Sequence, residues 1–304
     1  MNLDMDEQIQ WNGISSSKNS EHLGDCLDLM PLIADESIDM ILCDLPYGTT
    51  ETKWDNVLPF DKLWEQYERI ITPTGAIVLF SSQNFTIDLI NSNRKLFKYF
   101  MIWNKKVAGS FAMAQVRPML IHEEICVFSK GTTMSGGKNN MNYFPILQDA
   151  SPDNIRPINN GSSTSEANFG QRKNIREAKS KEGYDNKKRY PQSIVEYSKY
   201  NAECNNTVRK HPTQKPVGVL TQLIENFTEP NMIVLDNTAG VFSTAIACLE
   251  TNRKYIVMEK EKEYYNIGIK RIIEFENKRY HDKWIAPNLF NSFEKTEERG
   301  QKIK

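Results

Sequence analysis

Short unbroken apolar runs alternate with helix-like stretches from about residue 20 to 131. Runs at 38–43, 76–80, 99–103 and 124–128 predict buried strands, because a strand covered on both faces shows a continuous apolar run. Between the first two, residues 60–71 place apolar side chains at helical spacing and stop at Thr72-Pro73-Thr74-Gly75, a proline and glycine punctuation. A β–α–β crossover follows from that order. A second helix is predicted around 85–90. The same texture returns after residue 211, with a helix at about 215–227, a strand at 232–235, a helix at 243–250, a strand at 255–258 and a helix from about 261. The chain therefore reads as an α/β sheet protein interrupted in its middle.

From about 132 to 210 the periodicity lapses and Asn, Ser, Gly and Lys take over. Charge shifts with it: this stretch holds 13 Lys and Arg against 8 Asp and Glu, inside a chain whose net charge is −1. Arg172, Lys173, Lys188 and Arg189 interleave with Tyr184, Tyr190, Tyr197 and Tyr200, a mixture suited to phosphate contacts and base stacking. A solvated insertion accounts for the same composition. Beyond Arg279 the chain is charged and weakly patterned, and a fraying tail is expected there.

Composition narrows the class rather than the function. With 304 residues, 39% hydrophobic and 25% charged, the chain is globular, long enough for one large domain or two small ones. Cys26, Cys43, Cys126, Cys204 and Cys248 are odd in number and scattered, which argues for reduced thiols in a cytoplasmic protein. The acidic start has no apolar core, and no run approaches the roughly 20 apolar residues that cross a bilayer. No membrane association and no export are expected. The four histidines do not cluster at metal-ligand spacing, so no metal is expected.

Two segments carry chemistry. Asp44-Leu45-Pro46-Tyr47-Gly48 follows directly on the apolar run 38–43, which sets an acidic group beside a flat aromatic at the carboxyl edge of a sheet, where α/β folds place ligands. A plain β-turn uses the same residue types. Residues 233–245 read as a strand, a turn bearing Gly240 and a helix start with Ser243 as N-cap. Glu259 closes the next strand, 23 positions after Asp236, about the spacing at which an acid accepts hydrogen bonds from ribose hydroxyls in nucleotide-binding α/β folds.

Asp44-Leu45-Pro46-Tyr47, then His211-Pro212-Thr213-Gln214-Lys215-Pro216, then Val234-Leu235-Asp236 with Gly240 resembles, in that order, the S-adenosylmethionine-dependent DNA amino-methyltransferases of the β group. The likeness runs from Gly24-Asp25-Cys26 to about Arg271. It implies a circularly permuted Rossmann-like sheet, mostly parallel with one reversed strand and helices on both faces. By the same likeness, residues 1–131 form the catalytic half, 132–210 an inserted target-recognition region, 211–278 the cofactor half and 279–304 a tail. The implied substrate is double-stranded DNA with the target base flipped into a pocket. The Asp44 side chain and the Leu45 carbonyl would accept the two amine protons, with Pro46 shaping the turn and Tyr47 stacking on the base. Asp236, Asn237, Gly240, Ser243 and Thr213 would hold the methionine part of the cofactor, with the Lys215 ammonium on its carboxylate. Glu259 would hold the ribose, and Asp25 and Cys26 would approach the adenine. Arg172, Lys173, Lys188 and Arg189 would meet DNA. Trp103 lines the base pocket or fills the core; both readings stand. A homodimer is a further implication of the likeness, and a partner subunit to an active chain is the alternative raised by Phe242; a restriction partner is not readable from the sequence.

The chain departs from the family pattern twice. Leu45 replaces a proline, but the role there belongs to the backbone. Phe242 stands where a second glycine is usual, which removes freedom at positive φ and brings a ring toward the cofactor turn. Either Phe242 turns away, or the chain is a catalytically silent DNA-binding homologue. The expected activity is methylation of adenine N6, with cytosine N4 as runner-up, since both amines offer the same protons. Methylation of RNA or of protein glutamine is disfavoured by the motif order.

Overall fold

The computed structural model describes residues 13–15, 17–49, 55–109, 111–134, 137–149, 187–198 and 214–279. The chain divides into two compact units, Met1–Phe144 with Ser193–Lys304, and Pro145–Gln192. In the first, an eight-stranded sheet has the order β1-β10-β9-β2-β3-β5-β4-β8. Its strands are β1 (Ser20–Leu23), β2 (Ile38–Asp44), β3 (Ile71–Ser81), β4 (Phe97–Gly109), β5 (Leu120–Phe128), β8 (Ile194–Glu196), β9 (Ile233–Asp236) and β10 (Lys254–Glu259). Neighbours pair in parallel except around β5, which runs antiparallel to both β3 and β4. The mostly parallel sheet with one reversed strand is thus the architecture observed among the described residues. In the second unit, β6 (Gln148–Asp149) and β7 (Lys188–Arg189) form a short antiparallel pair.

Alternate side chains of the central strands enter two separate cores, as a pleated strand requires. Met40, Leu42, Val78, Phe80, Val234 and Val257 pack on one face with α4 (Val217–Phe227), α5 (Ser243–Glu250) and α6 (262–279). Ile41, Cys43, Ile77, Leu79, Leu235 and Ile256 pack on the other with α1 (Cys26–Leu29), α2 (Phe60–Ile70) and α3 (Asn84–Ser92). Helices on both faces explain why β2 and β3 read as continuous apolar runs.

Three local expectations are corrected. Thr72-Pro73-Thr74-Gly75 does not separate helix from strand but lies inside β3, at a register shift where Ile38 pairs Ile71 and Met40 pairs Ala76. Glycine is needed there because a Cβ on Gly75 would lie 2.8 Å from the Asp39 carbonyl. Ser243 is not the N-cap of α5; that position falls to Phe242, whose left-handed backbone (φ 63°) turns the chain into the helix one residue earlier. The stretch after 132, aperiodic in sequence, still supplies β8 to the sheet edge, where Val195 alone of its three residues is buried. Three residues are too few to display alternation.

Candidate active site

A cavity of about 500 Å³ opens at the carboxyl ends of β2, β9 and β10. Asp44, Leu45, Pro46, Tyr47, Trp103, Asp25, Cys26, Lys215, Asp236, Asn237, Gly240, Ser243 and Glu259 all line it. Thus thirteen positions singled out from sequence converge on one space. Thr213, Arg172 and Lys173 lie outside the described residues. Lys188 and Arg189 belong to the two-stranded unit, where Lys188 Nζ meets Asp149 at 2.6 Å and Arg189 donates to the Lys188 carbonyl.

One wall is a charge network. Lys215, just ahead of α4, places its ammonium 2.5 Å from Asp44 and 3.2 Å from Glu123, and 5.0 Å from the centre of the Phe80 ring. Glu123, on β5, also accepts from Lys105 at 3.2 Å. The Tyr47 hydroxyl donates to the other Asp44 oxygen at 2.8 Å, and its ring packs on Phe85 at 4.8 Å between centroids. Burial pushes the Asp44 carboxyl above the usual carboxylate range, and Lys215 opposes that push. Burial alone would lower the Lys215 ammonium, yet Asp44 and Glu123 together hold it above its usual value. Lys215, expected at the methionine carboxylate, lies in the same cavity with its ammonium paired to Asp44 and Glu123.

The turn after Tyr47 is fixed by Asp55, whose two carboxylate oxygens accept from the Gly48 and Thr49 amides at 2.9 Å each. Trp103 is a buried residue, 1% exposed, that donates to the Tyr197 carbonyl at 2.9 Å and also forms part of the cavity wall.

The second wall belongs to β9, β10 and their turns. The Asp236 side chain accepts from the Thr244 hydroxyl at 2.5 Å and the Thr238 amide at 3.1 Å. Burial pushes its carboxyl up to about 7 despite those donors. Asn237 is locked by the Tyr67 hydroxyl at 2.6 Å and the Cys43 thiol at 2.8 Å. Glu259 accepts from the Gly240 amide at 2.8 Å and the Glu261 amide at 2.7 Å. Asp25 caps α1 and meets Lys260 at 2.9 Å, while burial pushes the Cys26 thiol up to about 11 and keeps it neutral. Gly240 adopts φ 54°, and nothing lies within 4 Å of where its Cβ would stand. The two walls meet at Thr238, whose hydroxyl donates to the Asp44 carbonyl at 3.1 Å.

Phe242 does not enter the cavity. Its ring is fully buried in the core, edge-on to Tyr265 at 5.5 Å, and occupies the space over Gly268, where a Cβ would come within 2.4 Å of it. Of the two outcomes left open by the sequence, the ring turns away.

The chain matches the DNA methylase family over residues 38–270. It belongs to that family. Over 263 residues this DNA methylase is 27% identical to the DNA adenine methyltransferase YhdJ of Escherichia coli (strain K12), covering 82% of this chain and 81% of that protein. Over 83 residues it is 42% identical to the putative methylase YubD of Escherichia coli (strain K12), an alignment that spans 37% of that protein's length. Its fold is that of the cytosine-N4-specific PvuII DNA methyltransferase, with a TM-score of 0.56 at 16% identity over 86% of this chain and 92% of the other. The complex of M1.HpyAVI with SAM has the same fold, with a TM-score of 0.52 at 20% identity over 83% of this chain and 98% of the other.

Glu123, Lys105, Asp55, Thr238 and Thr244 were not singled out by sequence reasoning. Glu123 and Lys105 come from opposed strands and meet only through the β4–β5 register, so no linear spacing marks them. Asp55 had one available signal, an acid a few residues after a Pro-Tyr-Gly turn whose amides need acceptors.

Proposed function

We propose that this DNA methylase transfers a methyl group from S-adenosylmethionine to the N6 amine of an adenine flipped out of double-stranded DNA. The observation that carries the reading is the Asp44 carboxylate, held by Tyr47 and Lys215, in one cavity with the Gly240 and Glu259 turn. The residues present fit the cofactor: the open space at Gly240 admits a ligand against backbone, and the Glu259 carboxylate beside it suits ribose hydroxyls. Asp25, Cys26, Asp236 and Asn237 would complete its seat. When bound, S-adenosylmethionine supplies a methyl carbon on a cationic sulfur that leaves with the bonding electrons.

The chain's own residues have the remaining work. An aryl amine spreads its lone pair into the ring, so acceptors at Asp44 and the Leu45 carbonyl draw its two protons and turn the lone pair toward the methyl carbon. Tyr47 and Trp103 offer aromatic surfaces to the flipped ring. Asp44 takes the proton that the amine loses, which requires it to be ionised beforehand; Lys215 serves that need against the cost of burial. Adenine is favoured over cytosine by the Asp at position 44 and by the full-length match to a protein named as an adenine methyltransferase. The seating of Phe242 in the core removes the main reason to read the chain as silent.

The test is to expose unmethylated duplex DNA to the protein with S-adenosylmethionine, digest it, and identify the nucleosides by mass spectrometry beside Asp44→Ala. N6-methyladenine absent from the variant is expected. N4-methylcytosine would move the substrate to cytosine, and no product together with no cofactor binding by calorimetry would sink the activity.

A further inference from the structure

β4 and β5 continue beyond the sheet. The last β3 pair joins Ser81 to Glu124, yet β4 and β5 go on pairing Trp103 with Glu123, Asn104 with His122 and Gly109 with Leu120. β4 runs in the same direction as β2 and β3, so this ribbon projects past the carboxyl edge that carries Asp44. The register shifts between Asn104 and Gly109, so β5 advances only from Glu123 to Leu120, and at about 3.3 Å per residue the paired ribbon reaches roughly 10 Å. Its root is part of the cavity wall through Trp103 and Glu123.

The far end is apolar, uncovered and held in shape. Phe111 is 82% exposed and Val116 75%. A 3-10 turn at Phe111–Met113 and hydrogen bonds donated by the Val116 and Arg117 amides to the Met113 carbonyl shape the tip, and Arg117 donates to Gln83 at 3.3 Å. Residues 104–122 include Lys105, Lys106 and Arg117 and no Asp or Glu. Glu123 and Glu196 meet the two lysines, whereas Arg117 donates to the neutral Gln83 and meets no carboxylate among the described residues. The major groove, about 12 Å wide, admits a two-stranded ribbon. Apolar side chains presented this way part a base step, the event a buried target amine requires.

We infer that the β4–β5 ribbon is a wedge for duplex DNA, with Phe111 and Val116 entering the base stack beside the target as the target base moves into the cavity. The inference rests on the amino-methyltransferase reading above. Its test begins by locating the methylated position in a plasmid treated with the full-length protein, then building that sequence into two short duplexes, one with the target paired and one with it opposite an abasic site. Phe111→Ala, and separately Val116→Ser, should lower kcat/KM at least tenfold on the paired duplex and less than threefold on the abasic one, with melting temperature and cofactor affinity unchanged. Parent-like rates on the paired duplex, or equal losses on both, overturn the wedge while leaving the activity standing. No methylated position with the parent protein overturns the activity and the wedge with it.

Discussion

Asp44 and Asp236 close neighbouring strands and line the same cavity, yet they are treated in opposite ways. Asp44 has a cation at 2.5 Å and a phenol at 2.8 Å. Asp236 has a hydroxyl and an amide and, among the described residues, no cation, and burial carries it to about 7. A counter-ion supplied by the chain opposes the upward push of burial on Asp44, whereas Asp236 meets that push with neutral donors alone among the described residues. The position of Lys215, on the Asp44 side, creates that division.

The most severe way to break the comparison is Asp44→Ala, expected to lower methyl transfer by at least about 100-fold through loss of the proton acceptor. Cofactor affinity, measured by calorimetry, should hold. Lys215→Met comes next. It leaves Asp44 and Glu123 without their shared cation, at a stability cost of about 3 kcal/mol in denaturant unfolding. Removing the group that lowers the Asp44 carboxyl lets it rise further, so the acid limb of the kcat/KM profile should move to higher pH. Lys215→Arg should keep the limb near the parent's.

On the Asp236 side, Phe242→Gly relaxes a left-handed residue, a gain of about 1 kcal/mol, but empties a packed ring site worth about 3–5 kcal/mol. A net loss of about 2–4 kcal/mol is expected with little change in cofactor affinity, because the ring is outside the cavity. Marked weakening of binding would contradict its placement. The last comparison, Asp236→Asn, is read in pH dependence rather than in a single loss. An unfolded chain ionises Asp236 near 3.8 while the folded one holds the proton to about 7. The unfolded state therefore binds fewer protons in that window, and parent stability should fall as pH rises from about 4 to 7 and then level off. The melting temperature of Asp236→Asn should lack that part of the decline.

Much of this was legible in the sequence because it is written locally. The runs that became β2 and β5, the helix that became α2, and the strand-turn-helix around Asp236 and Gly240 are continuous segments whose pattern is their structure. What stayed hidden depends on pairs far apart in the chain. The direction of the Phe242 ring is decided by Gly268, the placement of Lys215 by Glu123, and the fate of Thr72-Pro73-Thr74-Gly75 by the Asp39 carbonyl. In each case local chemistry allowed two outcomes and a distant contact selected one.

The Phe242 and Gly268 contact also makes the two positions epistatic. With a Cβ at 268 falling 2.4 Å from the ring, any larger residue there excludes this placement of Phe242. Replacing Gly268 should therefore cost far less in a chain carrying Phe242→Gly than in the parent, a non-additivity that a double-mutant cycle reads directly.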